Sequence, residues 1–251
     1  MGAATLALDG QVALVTGGAR RVGAEIVRHL HAAGASVAIH CHRSLGEAEA
    51  LAAELDARRA GSALVCTADL LQSGSFRPLV GSVVARLGGL AILVNNASTF
   101  YPTPLASLTA TQWTDLIGTN LTAPLFLAQA AADELRRARG LIVNIADIHG
   151  LRPLPRYLAY STAKAALIHL TRGLARELAP QVRVNAVAPG PVMWPEDALD
   201  AAQQQEIVGR TLLQRAGTPA DVARAVCFFA ADAPYVTGQV LSVDGGRSQR
   251  W

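Results

Sequence analysis

Val12-Ala13-Leu14-Val15-Thr16-Gly17-Gly18-Ala19-Arg20-Arg21-Val22-Gly23 is the stretch on which the fold turns. A short apolar, β-branched run reads as a buried strand, and it leads through a glycine-rich turn into a helical pattern over 22–33. Glycines let the backbone turn tightly and approach a pyrophosphate. The helix N-terminus then offers that anion N–H groups and positive potential. A glycine-rich turn that ends a strand and opens a helix is the setting a dinucleotide site requires.

Working outward, the same alternation repeats. Apolar runs at Val12–Thr16, Ser36–His40, Ala63–Thr67, Ile92–Asn95, Leu141–Ile145, Val182–Ala186 and Val240–Val243 read as strands. The first six show little in/out alternation, as expected of strands buried on both faces. Helical patterns lie near 45–59, 74–87, 111–137, 158–178 and 219–231, and Ser44 followed by Glu47 resembles a capping box. Repeating βαβ units predict an α/β fold. It is one doubly wound domain over 1–251, with a mostly parallel seven-stranded sheet and helices on both faces. Ligands bind such sheets at the carboxyl ends of the strands.

Composition agrees. The chain has 251 residues, 51% hydrophobic and 16% charged, which excludes a disordered chain. Apolar runs such as Leu141–Ile145 are too short to span a bilayer. No secretory signal pattern is read at the start. Cys41, Cys66 and Cys227 lie far apart without CxxC spacing, so neither a disulfide framework nor a metal site is expected. A net charge of +3 without a run of five basic residues gives nucleic-acid binding no support. A cytoplasmic enzyme is the expectation. Of 22 basic residues, Lys164 alone is lysine.

The end of the second strand decides the cofactor. An acidic residue there would bind a ribose 2′-OH. This chain has His40-Cys41-His42-Arg43-Ser44 instead. Arg43 can clamp a 2′-phosphate and Ser44 can donate to it, so the site reads as one for NADPH. Gly17, Arg20, Arg21, Val22 and Gly23 belong to the phosphate turn, with His42 beside the 2′-phosphate. Asp69-Leu70 follow the third strand, where adenine can be recognised. Asn95-Asn96-Ala97-Ser98 follow the fourth, at the expected crevice, where an Asn pair can both brace the turn and touch cofactor.

Tyr160 and Lys164 are four residues apart at the start of a helical pattern, on one face. A neighbouring ammonium is expected to bring the phenol toward working pH, where it can exchange a proton with substrate during hydride transfer.

With these residues the chain resembles the short-chain dehydrogenase/reductase family along essentially its whole length. The matches are Thr16 to Gly23, Asn95-Asn96-Ala97, Asn120, Tyr160 with Lys164, Pro189-Gly190, and Val243-Asp244-Gly245-Gly246. The resemblance implies a Rossmann fold, usually tetrameric. It implies Tyr160 as proton donor, Lys164 on the nicotinamide ribose and tuning Tyr160, and Asn120 holding a water that links Lys164 to solvent. Pro189 and Gly190 would pass beside the nicotinamide.

Two positions depart from the family pattern. Asp147 stands thirteen residues before Tyr160, where the family usually has Ser, and Arg21 replaces the mid-turn Gly. Both departures resemble the pteridine reductases, as do Asn95 to Leu105 and His42-Arg43-Ser44. That likeness implies that Phe100 stacks on a flat pterin and that Ser98 and Arg21 bind pterin or cofactor phosphate. It also implies a double reduction. Hydride goes to C7 with a proton from Asp147 at N8, then to C6 with N5 protonated from the Tyr160–Lys164 side. To hold a proton at neutral pH, Asp147 must lie in a poorly solvated pocket.

A substrate lid is expected at 190–213, carrying Pro191, Met193, Trp194 and Pro195, with Trp194 closing over substrate or packing the lid. His149 and Arg152 follow Asp147 near the cleft, where either can contact substrate, with surface placement the first reading, and no role is assigned to 247–251. The expected partner is a pterin or folate substrate, and the resemblance implies a homotetramer. The rival readings are a carbonyl reductase, such as one acting on 3-oxoacyl thioesters, and a silent NADPH-binding scaffold.

Overall fold

The computed structural model describes residues 6–194 and 200–250. Seven strands form the sheet: β1 (Val12–Val15), β2 (Ser36–Cys41), β3 (Ala63–Thr67), β4 (Ile92–Asn95), β5 (Leu141–Ile145), β6 (Arg183–Pro189) and β7 (Val240–Val243). Their order is β3-β2-β1-β4-β5-β6-β7 and every pairing is parallel. The helices are α1 (Arg21–Ala32), α2 (Leu45–Asp56), α3 (Phe76–Leu87), α4 (Ala110–Ile117), α5 (Ala123–Ala138), α6 (Leu158–Leu178), α7 (Ala201–Gly209) and α8 (Pro219–Cys227). The doubly wound Rossmann architecture read from the sequence is therefore present.

Strand side chains alternate between two cores. Ala13, Val15 and Ile39 face a layer with Ile26 and Val27 of α1, Leu51 of α2 and Val222 of α8. Val12, Leu14, Leu93 and Ile142 face the other, with Leu79 of α3, Leu127 of α5 and Leu178 of α6. All residues of β1, β4 and β5 are buried, which accounts for their unbroken apolar sequence. Chain order reverses between β1 and β4, so the segments leaving the two paired strands run to opposite faces of the sheet and open a crevice at the carboxyl ends.

Four local readings are corrected. β6 runs three residues past its predicted end, because β5 and β7 flank it and pairing continues to Pro189 opposite Val243. The expected single helix over 111–137 is two helices joined by a π turn, Gly118–Thr122. α7 was not expected. The Ser44–Glu47 box does not form: Ser44 makes no side-chain cap bond, and Glu47 pairs with Arg20 at 3.7 Å. Reciprocal boxes form instead at Thr109/Gln112, Asp200/Gln203 and Thr218/Asp221.

The phosphate turn depends on Gly23. A Cβ there would lie 2.1 Å from the Gly17 carbonyl oxygen and 2.6 Å from Asn96 Nδ2. Gly23→Ala must therefore push α1 off the turn, at a cost of roughly 1–3 kcal/mol from overpacking. Thermal unfolding is expected to drop by several degrees, and fluorescence titration with NADPH should show lost binding.

Candidate active site

The crevice is held by a compact set of bonds. Thr16 Oγ1 accepts from the amides of Asn96 (2.9 Å) and Ala97 (3.0 Å) and donates to the Val94 carbonyl at 3.3 Å. Asn96 Nδ2 donates to the carbonyls of Thr16 (2.9 Å) and Gly17 (3.0 Å). Asn96 thus braces the turn from across the crevice. Asn95 does not bring its side chain to the cleft, and that expectation is corrected. Alternation turns it into the α5–α6 layer, where it is buried and donates to Asn144 Oδ1 at 2.8 Å, and Asn144 in turn donates to Thr171.

The turn fits a dinucleotide. Helix α1 carries no side-chain cap at Arg20, so its first amides are not taken by a capping side chain. Gly17 (φ +60°) has Ala97 Cα 3.0 Å from where a Cβ would sit, and a Cβ on Gly190 would meet Asp244 Cβ at 2.6 Å. These close approaches leave bare backbone where the pyrophosphate and nicotinamide would pass. His42 and Arg43 are exposed and Ser44 half-buried at the end of β2. Beyond β3, Leu70 is buried, and the Asp69 carboxylate accepts from the Leu71 amide at 3.0 Å.

Arg21 holds left-handed backbone (φ +55°), a conformation that favours glycine. Its guanidinium donates to the Trp194 carbonyl at 2.8 Å, tying the phosphate turn to the segment after β6. Pro195 lies outside the described residues, as does Trp251. Between this segment and the end of β7, Pro191, Val192, Leu212, Leu213 and Val243 line a cleft of about 470 Å³.

The chemistry gathers at the carboxyl ends of β4 and β5. Tyr160 is buried on the first turn of α6, and its hydroxyl donates to Asp147 Oδ2 at 2.7 Å. The other Asp147 oxygen accepts from the His149 amide at 2.7 Å, which fixes the carboxylate. Lys164 lies one turn further along α6, 2% exposed. Its ammonium donates to the Ile145 carbonyl at 2.9 Å and sits 5.6 Å from the centre of the Tyr160 ring. Asn120, 1% exposed in the π turn, accepts from Ser98 Oγ at 2.7 Å and donates to the carbonyls of Leu116 and Thr99. The π turn aims that amide out of the α4–α5 line into the cleft floor.

Burial and the Asp147 carboxylate push the Tyr160 phenol well above its ordinary value. This corrects the expectation that Lys164 would draw it toward working pH: desolvation and a facing carboxylate outweigh the one opposing influence, a hydrogen bond with Ser98. Burial also lowers Lys164 to about 8, against the opposing pull of Asp147. Tyr160 therefore stays protonated, and Lys164 changes charge nearest neutrality.

Phe100 sits over this group, 40% exposed, edge-on to Tyr160 with centroids 4.7 Å apart and stacked on Tyr157 at 4.5 Å. Tyr157 was not singled out from the sequence. Its place one turn before Tyr160 was the available signal.

A glycine cradle for a dinucleotide at one edge of the crevice and a buried Tyr–Lys pair with a half-buried Asp at the other define an NADPH-dependent oxidoreductase. The comparisons agree. The family model described as "Enoyl-(Acyl carrier protein) reductase" matches residues 17–248. Pteridine reductase 1 of Leishmania tarentolae is 40% identical, over 94% of this chain and 96% of that protein. The 3-oxoacyl-[acyl-carrier-protein] reductase FabG of Staphylococcus aureus is 35% identical, over 93% and 96%. Two solved structures superpose closely. A blue fluorescent protein from a metagenomic library, in complex with NADPH, gives a TM-score of 0.90 at 36% identity, covering 96% of this chain and 98% of that one. FolM Alternative dihydrofolate reductase 1 from Brucella canis, complexed with NADP, gives 0.88 at 38%, covering 98% and 97%. The chain belongs to the short-chain dehydrogenase/reductase family.

Two outcomes follow from this geometry. Arg21→Gly relieves about 1 kcal/mol of left-handed strain, so Tm should hold or rise by about 2–4 °C, while NADPH affinity falls by fluorescence titration. Lys164 loses its charge as pH rises through about 8. The rate of reduction at saturating NADPH should therefore decline above about pH 8, where the ammonium beside Tyr160 is lost.

Proposed function

We propose that the protein is a pteridine reductase, which reduces dihydropterins, oxidised pterins or dihydrofolate with NADPH. The observation that carries this reading is the Tyr160–Asp147 bond of 2.7 Å beneath the Phe100 ring. A serine at 147 would only orient a carbonyl. A carboxyl group can also hand a proton to a ring nitrogen as hydride arrives beside it.

NADPH, when bound, supplies the hydride. Gly17 would leave room for its pyrophosphate, which Arg20, Arg21, Val22 and Gly23 would hold; His42, Arg43 and Ser44 would hold its 2′-phosphate, and Asp69 and Leu70 its adenine. Ala97, Pro189 and Gly190 would line the path to the nicotinamide. The rest falls to side chains. Asp147 supplies N8 of the pterin with a proton, drawn from the Tyr160 phenol that faces it, while hydride goes to C7. Tyr160, kept as a phenol, returns a proton to Asp147 or serves N5 in the second reduction. Lys164, anchored on the Ile145 carbonyl, supplies positive charge to that pair. Asn120 fixes Ser98, and Ser98 and Arg21 contact the pterin or the phosphates. Phe100 stacks on the flat ring, which suits a planar heteroaromatic. Trp194 belongs to the described part of the substrate lid expected over 190–213, of which 195–199 lie outside the described residues.

This reading includes a cytoplasmic homotetramer. Exposed Trp113, Leu125 and Phe126 on α4 and α5, and Phe228 and Leu241 near β7, are apolar faces suited to assembly. Cys41, Cys66 and Cys227 are free, as a reducing compartment would leave them. Among the described residues no helix is long and apolar enough to cross a membrane.

The likeness to the staphylococcal 3-oxoacyl reductase favours a second reading, a carbonyl reductase. Biopterin, dihydrobiopterin, dihydrofolate and an acetoacetyl thioester, offered in parallel while NADPH oxidation is followed, separate the two. Pterin turnover, reduced at least a hundredfold in Asp147→Ala, is expected from the loss of a general acid, worth roughly 10²–10⁴-fold. Turnover of the thioester alone would move the protein to the carbonyl reductases. Tight NADPH binding without any turnover would leave a silent binder.

A further inference from the structure

We propose that His40 is a positioning residue for NADPH, bridging the phosphate turn to the adenine wall and setting which turn amides remain for the pyrophosphate. The proposal rests on the NADPH site and is independent of the pterin reading.

His40 is the fifth residue of β2 and 2% exposed, a titratable group inside the sheet that the chemistry above does not use. Its ring spans two segments. The Gly17 amide donates to Nδ1 at 3.2 Å, and Nε2 lies 3.2 Å from the Ala68 carbonyl. An amide N–H can only donate and a carbonyl can only accept, so these partners fix the tautomer. Nδ1 is bare and Nε2 carries the proton. Burial holds the ring neutral, with its pKa lowered to about 4, so this tautomer persists at working pH.

Three consequences meet at this ring. The first glycine of the turn is held at its left-handed φ of +60° by a side chain from the neighbouring strand. The backbone of His40 also accepts from the Gly18 amide at 2.9 Å. Both leading amides of the turn are thus committed to His40, and the pyrophosphate is left to the uncapped first amides of α1. On its other side the ring fixes Ala68, next to Asp69 and Leu70. The two ends of the adenosine diphosphate moiety would therefore be registered against each other through one imidazole. An apolar residue, the usual occupant of a buried strand, would leave the Gly17 N–H and the Ala68 carbonyl without these partners.

Two variants separate the bonds. Asn reaches roughly as far as Nδ1, and its carbonyl can accept from the Gly17 amide. Gln reaches toward Nε2 and can donate to Ala68, but leaves Gly17 unbound. Dissociation constants for NADPH and NADH are read by fluorescence titration, beside kcat at saturating NADPH and Tm. For His40→Gln, affinity for both nucleotides is expected to fall about tenfold, the loss of one buried hydrogen bond. Its kcat should stay within about twofold. His40→Asn should recover most of the affinity. Arg43→Ala, in contrast, should weaken NADPH and spare NADH. The proposal is overturned if both His40 variants bind like the parent, or if affinity loss follows Tm equally in Asn and Gln. It is also overturned if the Gln variant loses kcat at unchanged affinity.

Discussion

The Thr16 hydroxyl carries the first constraint on this molecule. A doubly wound sheet reverses between β1 and β4, and the segments that follow the two strands must diverge to admit a ligand. Beyond the Thr16 amide, which donates to the Val94 carbonyl at 3.0 Å, the diverging segments lose the ladder bonds that would otherwise hold them. Thr16 and Asn96 replace those bonds with side-chain ones, meeting two amides and three carbonyls within two residues of each strand end. The crevice is open yet its rim is rigid. Everything further out is referenced to that rim. The turn leads into α1, and Ala97-Ser98 leads to Asn120 and Phe100.

The second organising feature is a contest of charges in a dry place. Tyr160, Asp147 and Lys164 share one small, poorly solvated volume. Burial and the carboxylate hold the phenol proton, and burial drains the ammonium. Family members with a hydroxyl at position 147 lack that carboxylate facing their tyrosine. One residue type thus changes what faces the Tyr160 phenol.

Much of this was legible in the sequence because buried parallel strands need unbroken apolar runs and because a nucleotide turn needs glycine where backbones touch. Six strand starts agree, and α6 agrees at both ends. Other features left no local trace. Helix α7 buries none of its side chains, so it shows no apolar stripe to find. The π turn changes helical register without changing residue type. Asn95 looked like a cleft residue because of its neighbours, although strand alternation points it the other way. His40 was visible in the sequence, but only its two partners show what the ring does. The pKa of Tyr160 depends on the depth of burial, which spacing along a helix does not give.

A chain with one lysine, and that lysine sealed beneath the sheet's end, has an unusual chemical surface. Acylating and alkylating reagents aimed at side-chain amines find no exposed target on the folded molecule, while its arginines remain accessible to dicarbonyls. The same amine, drained toward about 8 by its surroundings, regains ordinary basicity only when the core opens. Covalent tagging at Lys164 would therefore count opening events one molecule at a time, with a reporter already built into the polypeptide.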